Sequence, residues 1–462
     1  MRAVLAVLAM LFVAANLSAA DWSRFRGPNG GGLGEGAATV PTEWSATKNL
    51  KWKVALPGPG SSSPIVVGDK IFVTCWTGYA AGGERGEQKD LKRNLVCLDK
   101  STGKVLWDKS VEAYLPEDNY GGMFAENGYA SHTPVSDGKK VFVFFGKTGV
   151  LAFDLDGNQL WQTPVGRGSG AMGWGSSSSP ILYKDLVIVP AAAESQTLYA
   201  LDKETGKEVW KAPADGFSGT WGSPIVVERP DGKTDIVIGV PYEIWAFNPE
   251  NGKLNWYCEA LNMRSFCSSV ITDGKGQVFA MGDQGAGSIA IKAGGKGDVT
   301  KTNVVWTNRD TNRIGTPVLA GDKLYFVSNR IANCVSAADG KRVFQGRLTG
   351  GASAPAPIVD DEQGRPSGGP GGGFGGRGGR GGGGRGGQDY GSPIAADGKL
   401  YFITRNGDGY VLKLGEKFEQ LALNRVTAES EDFSATPAIA DGALFIRSSK
   451  HLYCVAENAA AK

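Results

Sequence analysis

The chain has 462 residues, among them 69 glycines, 12 tryptophans and only 2 histidines, and its 49 basic side chains nearly balance 47 acidic ones. That balance argues against a global field that would hold nucleic acid or a strongly anionic partner. The 6 cysteines include neither an adjacent pair nor a Cys-x-x-Cys-His run, which excludes a covalently attached haem.

In chain order, Arg2, the apolar run Val4 to Val13 and the small-residue stretch Leu17-Ser18-Ala19-Ala20 read as a secretory signal over residues 1–20, cleaved after Ala20. The apolar run is shorter than the ~20 residues that span a bilayer, and no cysteine at the cleavage site offers a lipid anchor. The expectation is an exported protein, periplasmic or extracellular, without a stable membrane anchor. Residues 21–43 form an N-terminal extension, 44–457 a single repeat domain, and 458–462 a tail. Val/Ile/Phe runs punctuated by Asp-Gly and Asn-Gly, with no long helical periodicity, make the domain all-β.

Three stretches share one spacing: Cys97-Leu-Asp-Lys-Ser-Thr-Gly-Lys-Val-Leu-Trp107, Ala200-Leu-Asp-Lys-Glu-Thr-Gly-Lys-Glu-Val-Trp210 and Ala246-Phe-Asn-Pro-Glu-Asn-Gly-Lys-Leu-Asn-Trp256. A one-residue-shorter copy ends at Trp161, one with phenylalanine at Phe344, a looser one at Trp306, and Trp52 supplies a further terminal aromatic. Each copy is a hairpin in which Asp or Asn opens the turn, Gly takes a backbone conformation other residues resist, and a strand returns to the aromatic. Cys97, Cys334 and Cys454 share the repeat position held elsewhere by Ala152, Ala200 and Ala246, so they read as small buried fillers. Upstream of each hairpin lies a second strand pair, opened by Ser63, Thr133, Ser179, Ser223, Ser269, Thr316, Ser392 and Thr436. Four strands per unit and eight units predict an eight-bladed β-propeller of antiparallel blades. The last unit lacks its outer strand. Asn49 to Leu56, with Trp52 in register, predicts that the N-terminal strand closes the ring.

The Ala-x-Asp-x-x-Thr-Gly-x-x-x-Trp hairpin resembles the tryptophan-docking motif of the pyrroloquinoline-quinone (PQQ) repeat propellers over nearly the whole repeat domain. The resemblance implies that Trp52, Trp107, Trp161, Trp210, Trp256 and Trp306 are structural. It also implies one of two functions. One is a non-catalytic binding or assembly scaffold of the cell envelope, like the propeller lipoprotein of outer-membrane β-barrel assembly. The other is a PQQ-dependent oxidoreductase acting on alcohols or sugars, with PQQ and calcium at the channel mouth. No calcium ligand set can be matched residue by residue, and no catalytic or metal residue is assigned. The scaffold is therefore the expected function, with no cofactor, a protein or peptide partner, no nucleic acid, and a monomeric state.

Departures from the repeat mark where binding is expected. Gly78 to Arg93, Ala113 to Ala130 and Arg167 to Gly175 lengthen connections on the face that carries the channel mouth. Residues 361–389 form a Gly/Arg-rich insertion before the blade-seven strands, of a composition that does not fold alone. Candidate ligand-binding residues are His132, Trp174, Trp221, Arg313 and Tyr390, all just before inner strands, with Asn119 and Tyr120 from the longest connection. His132 is expected as a surface histidine. Gly168-Ser-Gly170-Ala-Met-Gly173 matches a dinucleotide motif without the helix that would make it one, and Asp154 to Asn158 fits a hairpin turn better than a calcium loop. Cys258 and Cys267 are the best-placed pair for a disulfide.

Overall fold

A computed structural model of the chain describes residues 21–28, 30–34, 39–82, 85–283, 285–351 and 388–457. The expected signal segment, the tail and nearly all of the Gly/Arg-rich insertion lie outside the described residues. Eight separate sheets follow one another in chain order, and in all but the last the strands run in sequence order from the axis outward. Blade one runs Ile65–Val67, Lys70–Thr77, Lys92–Asp99 and Val105–Glu112, and blade three Ile181–Tyr183, Leu186–Ala191, Thr197–Asp202 and Glu208–Pro213. Blade eight takes three strands from the C-terminus, Ala438–Ala440, Ala443–Arg447 and His451–Val455, and its outer strand Leu50–Ala55 from the N-terminus. Trp52 stands opposite Cys454 there, as Trp107 stands opposite Cys97 and Trp210 opposite Ala200. In each of blades one to six a bulge follows immediately after this small residue, at Cys97/Leu98, Ala152/Phe153, Ala200/Leu201, Ala246/Phe247, Ala290/Ile291 and Cys334/Val335. A bulge raises local twist and re-aims the side chains beside it. The cysteines are fillers as expected: Cys97, Cys334 and Cys454 are buried, and burial pushes each thiol up to about 12.

The aromatics dock blade on blade. The indole N–H groups of Trp52, Trp107, Trp161, Trp210 and Trp306 donate to the turn carbonyls of Lys100, Leu155, Lys203, Pro249 and Ala337 in the next blade, at 2.9–3.2 Å. Under each ring lies that turn's glycine. A Cβ on Gly103, Gly157, Gly206, Gly252 or Gly340 would come within 2.4–2.9 Å of the indole, and all five have positive φ. Glycine is thus required twice, by conformation and by contact.

Trp256 breaks this rule. Blade five replaces its turn with Gly297–Asp298, which pairs parallel to the outer strand of blade four, and the indole instead donates to Asp235 Oδ2 of its own blade at 2.8 Å. Blade seven has Ala422 where the aromatic would stand, and Trp44 from the N-terminal segment fills the same core, 6.4 Å from the Tyr401 ring.

All six cysteines are free, which corrects the expected Cys258–Cys267 disulfide. Cys258 is sealed among the core side chains between blades four and five, whereas Cys267 lines the central channel. Their nearness in sequence does not carry across the blade.

Candidate functional site: the central channel and its cap

The residues that open the eight inner strands form a closed ring around the axis. Each backbone N–H donates to the hydroxyl of the next blade: Ser63 to Thr133, Thr133 to Ser179, Ser179 to Ser223, Ser223 to Ser269, Ser269 to Thr316, Thr316 to Ser392, Ser392 to Thr436, and Thr436 back to Ser63, at 2.8–3.1 Å. The Ser/Thr seen at this position in every repeat is therefore a ring-closing device, because a small hydroxyl must reach the neighbouring amide. All eight line a channel cavity of about 100 Å³.

Two residues upstream in each blade, a second tier lines the same cavity: Ser61, Ser131, Ser177, Trp221, Cys267, Ile314, Tyr390 and Ser434. The tier is lopsided. Blades eight, one, two and three contribute serine, and blades four to seven contribute Trp, Cys, Ile and Tyr. Glu126 and Asn127 lean in from the long connection, and Phe25 closes the opposite end.

Phe25 belongs to a plug that the sequence reading passed over as extension. Trp22 bridges to Val66 of blade one, Ser136 of blade two donates its N–H to Ser23 O, and Leu33 bridges to Ala395 of blade seven. Arg24 donates to Pro224 O at 3.0 Å, and Arg26 to Pro317 O at 2.6 Å and Pro393 O at 2.9 Å. Both guanidinium groups are buried and answered by carbonyl oxygens, and burial draws their pKa down to about 10 and about 9. Two arginines flanking an aromatic, at Arg24 and Arg26, were the available signal.

Over blades one to three the lengthened connections build a cap. Arg93 and Glu117 form a buried ion pair, Lys147 bonds Asp118 and Ser169 at 2.9 Å each, and Asn127 Nδ2 donates to Trp174 O at 2.8 Å. Trp76, Tyr79, Phe124 and Tyr129 pack beside them. His132 lies inside this cap. It is 6 % exposed, which corrects the expected surface histidine, and burial plus the nearby Arg93 charge draws its pKa down to about 3. Its Nε2 meets Ser176 Oγ at 3.0 Å, and Ser176 in turn donates to Glu194, whose carboxyl burial pushes up to about 7.

The other predicted residues divide cleanly. Trp221 and Tyr390 line the channel, and Trp174 packs on Trp221 with ring centroids 5.1 Å apart. Arg313 sits beside them, paired with Asp283 at 3.4 Å. Asn119 is exposed on the cap, and Tyr120 packs against Trp76 and Tyr129, away from the channel. Glu126 and Asn127, from the connection Ala113 to Ala130, and Cys267, expected only as a disulfide partner, line the channel, and Arg405, which was not singled out, pairs with Glu126. Arg405 pairs with both Glu126 and Asp432 at 2.6 Å and lies over the Tyr390 ring.

These features define a tryptophan-docked, eight-bladed propeller with one end of its channel plugged and the other capped. The chain belongs to the PQQ-repeat family whose description is outer membrane protein assembly factor BamB, which matches residues 77–196 and 191–363. Solved structures with the same fold include BamB from Moraxella catarrhalis (11% identity, 88% of this chain and 96% of that one, TM-score 0.56). A europium-containing methanol dehydrogenase (10% identity, 94% and 98%, TM-score 0.61) and the quinohemoprotein alcohol dehydrogenase ADHIIG from Pseudomonas putida HK5 (11%, 96% and 81%, TM-score 0.57) share it too. A curated relative, tetrathionate hydrolase of Acidithiobacillus ferrooxidans, is 25% identical over 188 residues, 38% of this chain, and the match spans only 33% of that protein. Among the described residues no helix is long and apolar enough to cross a membrane.

Proposed function

We propose that this protein is an exported, non-catalytic binding or assembly propeller of the cell envelope, whose protein or peptide partner seats over the capped channel mouth. One observation carries the reading: the ionic groups around the mouth are already spent on one another. Glu126 pairs with Arg405, Arg405 with Asp432, and Arg313 with Asp283. Of the remaining titratable groups on the wall, burial pushes the Cys267 thiol up to about 11 and raises Tyr390. Such a wall is suited to contact, and the carboxyl pushed up to about 7, Glu194, lies buried in the cap off the channel wall. Exposed Met123 and Met172, with half-buried Trp174, give the mouth adaptable apolar contacts.

The alternative carried by the family is a quinone held with calcium. Calcium takes about 6–8 oxygen ligands, several of them carboxylates. Here the channel wall offers one carboxylate, Glu126, and it and the neighbouring Asp432 and Asp283 already answer Arg405 and Arg313. The residues at the channel mouth do not fit the group.

Two measurements test the proposal. Chain lacking residues 1–20, mixed with PQQ and calcium, is expected to show no bound-quinone absorbance and no dye reduction with alcohols or sugars. A photocrosslinker at Met172 is expected to trap a discrete protein in intact envelopes, and the double change Trp221→Ala with Arg313→Ala to abolish that adduct with little change in the melting curve. Calcium-dependent quinone binding with turnover would overturn the reading.

A further inference from the structure

Away from the channel, at the rim of blade eight, the described residues bring together a group of metal-ligating side chains. Glu429, Glu431 and His451 each place a ligand atom within 4.8 Å of the other two, and none of the three lines the channel cavity. Glu429 and Glu431 stand on the link from the outer strand Gln420–Asn424 of blade seven to the inner strand Ala438–Ala440 of blade eight, and His451 opens the third strand of blade eight. The local sequence presets them. In the turn Ser448-Ser-Lys-His451, Ser448 Oγ accepts the N–H of Lys450 at 3.1 Å and of His451 at 2.9 Å, which fixes where the imidazole leaves the hairpin. The same hydroxyl donates to Glu431 Oε2, and the Tyr453 hydroxyl donates to that oxygen at 3.0 Å. Oε2 is thereby satisfied on a fully buried side chain, and Oε1 is left for His451 Nδ1, 2.8 Å away.

A histidine–carboxylate hydrogen bond backed by a serine and a tyrosine is a complete structural network, and it has no need of Glu429. That side chain is 62 % exposed and could turn into water, yet it lies beside a buried carboxylate that repels it. The cation that answers it is Lys53 of the closing strand, at 3.3 Å and held over the Tyr453 ring. Two carboxylates and an imidazole, one carboxylate already oriented by hydrogen bonds to its far oxygen, form the kind of donor set that holds a metal with its outer partners in place. The donors also select the ion. Calcium takes about 6–8 oxygen ligands and magnesium keeps an octahedron of oxygens. Imidazole beside carboxylate suits zinc, which needs only three protein ligands when its fourth position is open. Bonds of about 2.0–2.2 Å require the exposed Glu429 to close on the preset pair.

We propose that Glu429, Glu431 and His451 bind a borderline divalent cation, of which zinc is the type, with the fourth position open to water or to a donor from another molecule. Entry of the ion moves the Nδ1 proton of His451 to Nε2, on a ring that is 19 % exposed, and displaces Lys53 from Glu429. The bound ion ties the link between blades seven and eight to the hairpin on which the N-terminal strand Leu50–Ala55 closes the ring. This site lies outside the channel, and the proposal does not depend on the envelope-scaffold reading.

The test is calorimetry and thermal unfolding of the purified protein after stripping with EDTA, titrated with zinc chloride and in parallel with calcium and magnesium chlorides. One equivalent of zinc is expected to bind at micromolar concentration, with a rise in melting temperature that follows its saturation, and neither calcium nor magnesium is expected to saturate over the same range. Glu429→Gln, at an exposed position that leaves the Ser448–Glu431–His451 network standing, should weaken zinc about tenfold or more and erase that rise, while the metal-free melting temperature stays where it was. His451→Gln should weaken zinc at least as much. Lys53→Ala removes the competing cation and should tighten zinc a few-fold, and Cys267→Ser, at the thiol that lines the channel, should change nothing. Zinc binding that survives both Glu429→Gln and His451→Gln, or that is lost in Cys267→Ser instead, would overturn the proposal. So would a protein that takes up no zinc, which would leave the group a structural network, or one that binds calcium more tightly than zinc, which would make it an oxygen site of another class.

Discussion

The outer belt of this propeller and the wall of its channel are built from the same eightfold repeat, yet they tolerate variation differently. On the belt, an aromatic, a glycine under it and a carbonyl beside it recur because every blade must grip the next in one geometry, and where a piece is missing something is recruited to replace it. Trp44 stands in for the aromatic absent at Ala422, and Gly297–Asp298 covers Trp256 where the blade-five turn is gone. On the wall, the lower tier is as uniform as the belt because its hydroxyls also join blade to blade. The upper tier forms no such closed ring; its links are local, as where Ser61 donates to Ser131 Oγ and the Trp221 indole to Gly175 O, and there four serines face Trp221, Cys267, Ile314 and Tyr390. Uniformity therefore tracks ring closure, and variation tracks exposure to whatever enters the channel.

Removing residues 21–58 is the harshest way to break this comparison. It deletes the plug, Trp44 and the strand that closes blade eight, and it exposes the edge of His451–Val455. Aggregation or oligomerisation is expected by size-exclusion chromatography. A monomer with an unchanged melting temperature would show that neither end of the N-terminal segment supports the ring.

Next in size is Trp210→Ala. The ring is 7 % exposed, packs on Gly252 and gives its N–H to Pro249 O. Truncating a buried indole costs about 3–5 kcal/mol. Denaturant unfolding that gives less than about 0.5 kcal/mol would place the belt outside the stabilising core.

How much of this was legible depended on whether a residue's role repeats. The blades, the closing strand and the docking tryptophans could be read from the sequence because the same local chemistry recurs at fixed spacing, and Trp221 and Tyr390 because they are large at a position that is otherwise small. The plug could not be found that way. Arg24, Phe25 and Arg26 occur once, and their partners, the carbonyls of Pro224, Pro317 and Pro393, are backbone atoms hundreds of residues away with no sequence signature. His132 was placed in the right blade and on the wrong side of the surface, because the cap that buries it comes from three separate connections. The Gly/Arg-rich stretch 361–389 is legible only as composition.

That cap carries a third expected effect, a pair of opposed pH dependences. His132, drawn down from about 6.5 to about 3, binds its proton more readily unfolded, so it makes stability rise with pH across that window. Glu194, pushed up from 4.5 to about 7, holds its proton more tightly folded, so its stabilisation is full below 4.5 and lost as pH rises through 7. Between pH 4.5 and 6.5 the two slopes cancel in the native chain. Glu194→Gln removes one of them. Its unfolding free energy should climb by about 2–3 kcal/mol over that interval, each pKa unit being worth about 1.4 kcal/mol, while the native protein stays nearly level. Parallel curves for the two chains would mean that the cap takes up water freely and neither group is held in its neutral form.

The smallest effect falls on the belt's own exception. Trp256→Phe keeps most of the buried apolar area but withdraws the N–H that meets Asp235 Oδ2. Asp235 is fully buried, and its other oxygen is met by Asn255 at 2.7 Å and by Arg229 at 3.7 Å. An acceptor left unsatisfied in that setting costs about 1–3 kcal/mol. Trp161→Phe withdraws an N–H from Lys203 O, a carbonyl in an exposed turn of the next blade that water can reach, so the hydrogen-bond part of its cost should stay under about 1 kcal/mol. The belt thus predicts that the conservative change is dearer at Trp256, where the indole serves its own blade, than at Trp161, where it reaches across the joint. Equal losses in denaturant unfolding would mean that the joint depends on ring area alone and that the recurring carbonyl partner adds nothing to docking.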